Sequence, residues 1–291
     1  MDAKTETVAC GMVDDALQKL ERKSAEIRLT CLKTALNAGK GHVPPAFSWT
    51  EIGVALYYGG IADVRADKPA WPDRDRVIVS KGHGCLTLYA ILADRGFFPR
   101  DELDKFAGDG SLLPGHPDYL VPGVDTMSGS LGHGLGVGAG MALAARVDGA
   151  HWRTFVILGD GECNEGSIWE AAMFAGHQKL TNLVAIVDRN RLSATDYTDN
   201  IVTLEPFADR WSAFGWDTEI VDGHSFPALL KVLSQGSISG RNRPLVVIAD
   251  TVKGKGVDFM QNSPNWHHQM PKGPQIEAAL QQLRSRIEPS S

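Results

Sequence analysis

At 291 residues the chain can bury a large core, and 43% hydrophobic with 22% charged residues is the composition of an ordinary globular protein. Its formal net charge of -6 argues against a nucleic-acid partner, which requires a basic surface, and no stretch of about 18 apolar residues is available to cross a membrane. Cys10, Cys31, Cys85 and Cys163 show no zinc or redox spacing and are too few for a disulfide framework, so reduced thiols in the cytoplasm are expected.

The N-terminus carries acids from its second residue and no apolar segment, so it does not read as a secretory signal. Helical periodicity runs from about Asp14 to Asn37, with Leu17, Leu20, Ile27, Leu32 and Leu36 among polar residues and Gly39 as a stop. A loop is expected from Lys40 to Ser48, carrying His42 and stiffened by Pro44 and Pro45, then an apolar helix from Glu51 to Tyr58. Arg76 to Ser80 reads as a short buried strand that passes through Lys81-Gly-His-Gly84 into a helix from Leu86 to Asp94. Such a strand-glycine-helix turn offers free N–H groups and a positive dipole end to an anion. An irregular Pro- and Gly-rich segment from Leu113 to Gly123 contains His116; a loop of this kind in a compact domain is functional or mobile.

The glycine-rich run from Ser128 to Gly140 holds a loose dinucleotide fingerprint, Gly134-x-Gly136-x-x-Ala139. No strand leads into it, and its glycines run on into a helix at Met141 to Ala145, so close helix packing is the better reading.

The stretch from Phe155 to Ser193 carries the strongest signal. Phe155 to Leu158 and Leu183 to Val187 are short apolar runs that read as buried strands. Between them, from about Ser167 to Leu180, Ile168, Ala172 and Ala175 fall on one helical stripe, with Trp169, Met173, Gly176 and Leu180 on the stripe beside it, which predicts a broad buried face. A right-handed βαβ unit makes the strands parallel and brings Asp160 and Asn190 to the same carboxyl edge of the sheet. A carboxylate and an amide there suit Mg²⁺, a hard cation that takes oxygen ligands and keeps others for water and phosphate. Gly159 and Gly161 let the backbone approach a diphosphate. A calcium loop of the EF-hand type is excluded, because its glycine would come one residue late, at Gly166, and its bidentate acid would be Ala171.

Beyond it, Leu204 to Phe214 reads as a helix, Gly215 to Val221 as a strand, His224 as a turn residue, Phe226 to Leu233 as a helix and Pro244 to Asp250 as the last core strand. Thr251-Val-Lys-Gly-Lys-Gly256 lacks the pattern of a nucleotide phosphate loop. A polar helix from about Pro274 to Ile287 closes the chain.

Gly159-Asp160-Gly161, Glu165-Gly166-Ser167-Ile168-Trp169-Glu170-Ala171 and Asn190 together resemble the thiamine diphosphate signature of transketolases. Four more segments match that family in order, around His42, Ser80-Lys-Gly-His83, Gly115-His-Pro117 with Gly129 to Gly134, and Lys253 to Pro271. The resemblance covers roughly Leu17 to Pro271. It implies a three-layer α/β sandwich with a mostly parallel sheet, built as one diphosphate-binding domain over residues 1–291 with a helical N-terminal extension and a C-terminal helix. It also implies that Asp160, Asn190 and the Leu192 carbonyl hold Mg²⁺. His83, Gly129, Leu131, Gly161, Glu165 and Asn190 then belong to the thiamine diphosphate site, Gly129 and Leu131 beside the aminopyrimidine. By the same resemblance His42 and His116 face the sugar, and His267 rather than His268 lies near the phosphates.

In this family a glutamate on a pyrimidine domain activates the cofactor. Residue 291 falls about where a full-length transketolase enters that domain, so the resemblance is to the N-terminal subunit of a split enzyme, inactive alone. The expected partner is a C-terminal subunit, in an assembly of two chains of each kind that acts on sugar phosphates, with a homodimer contact also possible. Ile168 and Trp169, flanked by Glu165 and Glu170, lie where the family associates, so at least one of them is expected on an exposed apolar patch. Alternatives are a specialised aldehyde or acyl acceptor, or a non-catalytic thiamine diphosphate or Mg²⁺-binding module.

Overall fold

The structure, a computed structural model, describes residues 3–287, with side chains described from Asp14 onward. In chain order it contains α1 (Ala3–Ala38), α2 (Val43–Ser48), α3 (Thr50–Tyr58), β1 (Arg76–Val79), α4 (Cys85–Asp94), α5 (Gly134–Val147), β2 (Thr154–Gly159) and α6 (Gly166–His177). There follow β3 (Leu183–Arg189), α7 (Thr198–Ile201), α8 (Phe207–Ala213), β4 (Asp217–Asp222), α9 (Phe226–Leu233), α10 (Gln235–Ile238), β5 (Leu245–Asp250) and α11 (Pro274–Arg284). The strands form one wholly parallel sheet in the order β1-β2-β3-β5-β4.

Alternate residues of a strand face opposite sides, and both sides of this sheet are covered, which is why its central strands are apolar throughout. Val77, Val79, Phe155, Ile157, Val184, Ile186 and Val247 join one core with α1, α3, α4 and α9. Ile78, Val156, Leu158, Ala185, Val187, Val246 and Ile248 join a second with α5, α6 and α8. The result is the expected three-layer α/β sandwich. Gly138 explains how closely α5 lies on it: a Cβ there would sit 2.5 Å from Val156 Cγ2.

Two expectations are corrected and a third is extended. The segment Lys40 to Ser48 is not a loop throughout; Val43 to Ser48 is helical, with its prolines in the first turn, where a missing N–H and a fixed φ are no handicap. On α6, Ile168, Ala172 and Ala175 are buried as expected, but Met173 is 56% exposed, so the buried stripe is narrower than the pattern suggested. His224 is more than a turn residue. Its Nε2 accepts from the Val252 N–H at 2.9 Å, so Nδ1 carries the proton and donates to Glu51 Oε2 at 2.8 Å. Glu51 in turn accepts two hydrogen bonds from Arg28, at 2.6 and 2.5 Å.

Among the described residues no helix is long and apolar enough to cross a membrane. Cys31, Cys85 and Cys163 are buried free thiols; the side chain of Cys10 lies outside the described residues.

The Arg28-Glu51-His224 network ties α1 and α3 to the ends of β4 and β5. Burial alone would raise the Glu51 pKa, but Arg28 and His224 reverse this and lower it from 4.5 to about 2. A carboxylate depressed by folding stabilises above its unfolded pKa, and that stability drains away as pH falls from about 4.5 towards 2. Glu51→Gln should therefore cost about 3 kcal/mol at neutral pH, with the gap to wild type narrowing at acid pH. Urea denaturation at both pH values measures it; a loss of less than about 1 kcal/mol at neutral pH would contradict the assignment.

Candidate functional site

In open α/β sheets ligands gather beyond the carboxyl ends of the strands. There, beyond β1, β2, β3 and β5, lies a cavity of about 410 Å³. Each strand contributes by way of the turn that follows it: His83 after β1, Asp160 and Gly161 after β2, Asn190 and Leu192 after β3, and Lys253 after β5. His116, Gly129, Leu131, Glu165, His267 and His268 complete the wall from longer connections. Of the residues expected at the site, only His42 is not part of that wall, and its ring centroid lies 5.6 Å from that of His267 and 4.7 Å from that of His268. His133 is exposed, bonded to the Leu131 carbonyl, and lines no part of the cavity.

The floor is rich in oxygen. Register pairs Gly159 with Asp188, so Asp160 and Asn190 emerge from neighbouring strands. Asp160 accepts from the N–H groups of Gly161 at 2.7 Å and Arg191 at 2.5 Å, and Asn190 Oδ1 from the N–H of Leu192 at 3.1 Å. Each oxygen retains acceptor capacity. Burial, with Asp188 close by, raises the Asp160 pKa from 3.8 to about 6. The Leu192 carbonyl accepts from Lys253 Nζ at 3.3 Å.

The imidazoles of the wall, His83, His116, His267 and His268, cluster with His42. His42 lies 6.0 Å from His83 and 6.2 Å from His116 between centroids, and His83 lies 5.5 Å from His267. Burial and neighbouring cationic groups lower His42 to about 4 and His267 to about 3, and burial with Lys81 nearby drives His83 well below its usual value. Near neutral pH these rings are uncharged, each with one N–H donor and one lone pair.

The family model for the transketolase thiamine diphosphate binding domain matches residues 20–288. This chain belongs to the transketolase family. It is 41% identical to an apulose-4-phosphate transketolase subunit of Phocaeicola vulgatus over 94% of this chain and 96% of that protein. It is 38% identical to a 6-deoxy-6-sulfo-D-fructose transketolase subunit of Clostridium sp. over 91% and 96% of the two chains. Human transketolase is 37% identical over 94% of this chain but only 43% of its own length. The Campylobacter jejuni transketolase structure superposes with a TM-score of 0.85 at 26% identity, over 91% of this chain and 43% of that one.

Four residues of this transketolase chain do work that its motifs did not reveal. Glu162 accepts from Ser80 Oγ and from the N–H groups of Gly132 and Gly159 at 2.9 Å each, fastening three turns together. Lys253 Nζ lies 2.7 Å from His267 Nδ1 and donates to the Ser193 carbonyl at 2.8 Å. Lys81 and Asp188, 1% and 0% exposed at their side chains, form an ion pair beneath the cavity. A lysine beside glycines and an aspartate ending a strand were the only visible cues, and both are commonplace in turns.

Removing one member of a buried pair leaves the other charge uncompensated, which costs about 3–5 kcal/mol. Lys81→Met should lose that much in chemical denaturation, and Lys81→Met with Asp188→Asn should recover a large part of it. A double variant no more stable than the single one would refute pairing as the cause.

Proposed function

We propose that this chain is the thiamine diphosphate-binding subunit of a two-component transketolase, which transfers a two-carbon ketol unit from a ketose phosphate to an aldose once paired with a subunit that carries the pyrimidine domain. The observation that carries this reading is one cavity with oxygen donors on its floor and neutral imidazoles on its wall. Two relatives aligned over nearly their whole length are named as subunits of transketolases for apulose-4-phosphate and 6-deoxy-6-sulfo-D-fructose. The free buried thiols suit a reducing, cytoplasmic setting.

The donor set fits the cofactor and its metal. Asp160, Asn190 and, if Lys253 turns aside, the Leu192 carbonyl would hold Mg²⁺, which prefers such oxygens. His83 and the Gly161 backbone would meet the diphosphate, while Gly129, Leu131 and Glu165 would border the rest of the cofactor. Bound there, thiamine diphosphate supplies a nucleophilic carbon and an electron sink for breaking the bond beside a ketone. His42 and His116 would bind donor hydroxyls. A neutral imidazole can donate to one oxygen and accept from another, which is what moving a hydroxyl proton requires. A neutral His267 gives a phosphate only a hydrogen bond, so Lys253 would supply the charge. Its pKa, lowered to about 8 by burial and by Lys81, leaves it largely protonated near neutrality.

Calorimetry separates the two halves of the site. Asp160→Ala should weaken thiamine diphosphate binding in Mg²⁺ by more than about 100-fold, since even outer-shell partners of a metal are worth 10–100-fold. His116→Ala should spare that binding and lower turnover by about 10²–10⁴-fold, the range for a proton-transfer group. If the paired subunits turn over no ketose phosphate while the cofactor still binds, the chain is a binding module and the enzyme reading fails.

Of the pair expected on the association surface, only Trp169 reaches solvent, and only in part. Ile168 is fully buried, and Trp169 packs against Phe207, Trp211 and Phe214 while its Nε1 donates to the Cys163 carbonyl. Ile168 therefore serves the core, and Trp169 lies at its margin. The exposed apolar residues lie farther along, Met173 and Phe174 on α6 with Val137 and Val147 on the adjoining α5. We infer that copies of this chain, or the chain and its partner, meet on this face, because such patches mark association surfaces. Light scattering after size exclusion should find an oligomer that Phe174→Glu shifts towards monomer. A monomeric wild type that ignores the partner at micromolar concentration, with cofactor and Mg²⁺ present, would overturn the two-component reading.

A further inference from the structure

His42, His267 and His268 each place a ring nitrogen within 4.8 Å of the other two. We propose that this trio is a second metal site, for a divalent transition ion such as Zn²⁺, separate from the oxygen-lined position at Asp160 and Asn190. Imidazole nitrogens favour zinc, copper or nickel over magnesium, so the two ends of one cavity discriminate between ions by donor chemistry. Tetrahedral zinc with Zn–N distances of about 2.0–2.1 Å brings its nitrogens roughly 3.4 Å apart, so the rings must close by up to about 1.4 Å. His268 is exposed and free to swing. His267 must offer its Nε2 lone pair, which moves its proton to Nδ1 and turns Lys253 away; with Mg²⁺ on the Leu192 carbonyl, Lys253 then keeps the Ser193 carbonyl as its acceptor. Three histidines with a fourth position open to the cavity match zinc sites that exchange their last ligand. Given the ketol-transfer reading, an ion there occupies two donor-binding rings and inhibits the enzyme.

The site is tested by binding, independently of activity. The intact chain, saturated with Mg²⁺ and thiamine diphosphate, is titrated with Zn²⁺ by calorimetry and with Co²⁺ by its visible absorption. One ion per chain should bind, with the intense Co²⁺ bands of a four- or five-coordinate nitrogen site. His268→Gln and His42→Gln should each weaken binding at least about 10-fold, and His133→Gln, at an exposed histidine away from the cavity, should not. Thermal melts check that each variant is folded, and His268, being exposed, provides a substitution that the fold tolerates. Equal affinity in His268→Gln, displacement of Zn²⁺ by excess Mg²⁺, or no binding at micromolar Zn²⁺ would each overturn the proposal.

Discussion

The buried ion pair of Lys81 with Asp188 organises the site above it. Asp188 also accepts from Ser48 Oγ at 2.5 Å, from Thr251 Oγ1 and from Asn190 Nδ2 at 3.3 Å. Lys81 adds the Pro45 carbonyl at 3.0 Å and Ser48 Oγ at 3.3 Å. Such a pair is tolerable in a dry interior only when its remaining donors and acceptors are met, and here they come from α2 and from the ends of β1, β3 and β5. The spacing has a functional consequence. His83, Asn190 and Lys253 each lie two residues beyond a member of this cluster, Lys81, Asp188 and Thr251 respectively, and His42 immediately precedes the helix that supplies Ser48 and Pro45. A charged knot beneath the cavity thereby sets the positions of groups that must converge within it.

Burial also tunes those groups, and in one direction. It pushes Asp160 up to about 6 and Lys253 down to about 8, and it moves His42 and His267 far below neutrality. Each shift disfavours charge, as expected where water is excluded. Asp160 on the floor is thus strained by its own desolvation, and a bound cation would relieve it. The imidazoles of the wall gain from neutrality, since an uncharged ring can both give and accept a proton. One physical cause leaves an oxygen-rich floor and a wall of uncharged imidazoles, with Lys253 between them.

Much of this was legible in the sequence, for physical reasons. Short β-branched runs ending in glycine mark the strands, and parallel strands force Asp160 and Asn190 to one edge. The motifs around His83, His116 and His267 mark the wall only through their resemblance to the family's segments, since glycine turns carrying a histidine are commonly structural. What stays hidden in the sequence is what depends on distant partners. Lys81 and Asp188 are 107 residues apart, and nothing local distinguishes a buried ion pair from two surface charges. Pro44 and Pro45 suggest a stiff loop because proline disrupts helices generally, yet they occupy the one turn that accepts it. His224 resembles a turn residue until Glu51, from α3, closes on its ring. Trp169 packs against Phe207 and Trp211 of α8, neighbours beyond the reach of the α6 pattern.

The same connections join the cavity to the surface proposed for assembly. Leu131 and Glu165, both at the cavity rim, stand just ahead of α5 and α6, the helices that expose Val137, Val147, Met173 and Phe174. Their two turns are pressed together: Ser167 Oγ donates to the Gly132 carbonyl at 2.9 Å, and a Cβ on Gly132 would lie 2.7 Å from Glu165 Cβ. Glu162 holds the same turns from below through Gly132 and Gly159. A partner seated on Val137 and Phe174 would therefore bear on two helices whose first residues continue directly into the cavity rim. Close packing leaves those turns little freedom to adjust independently.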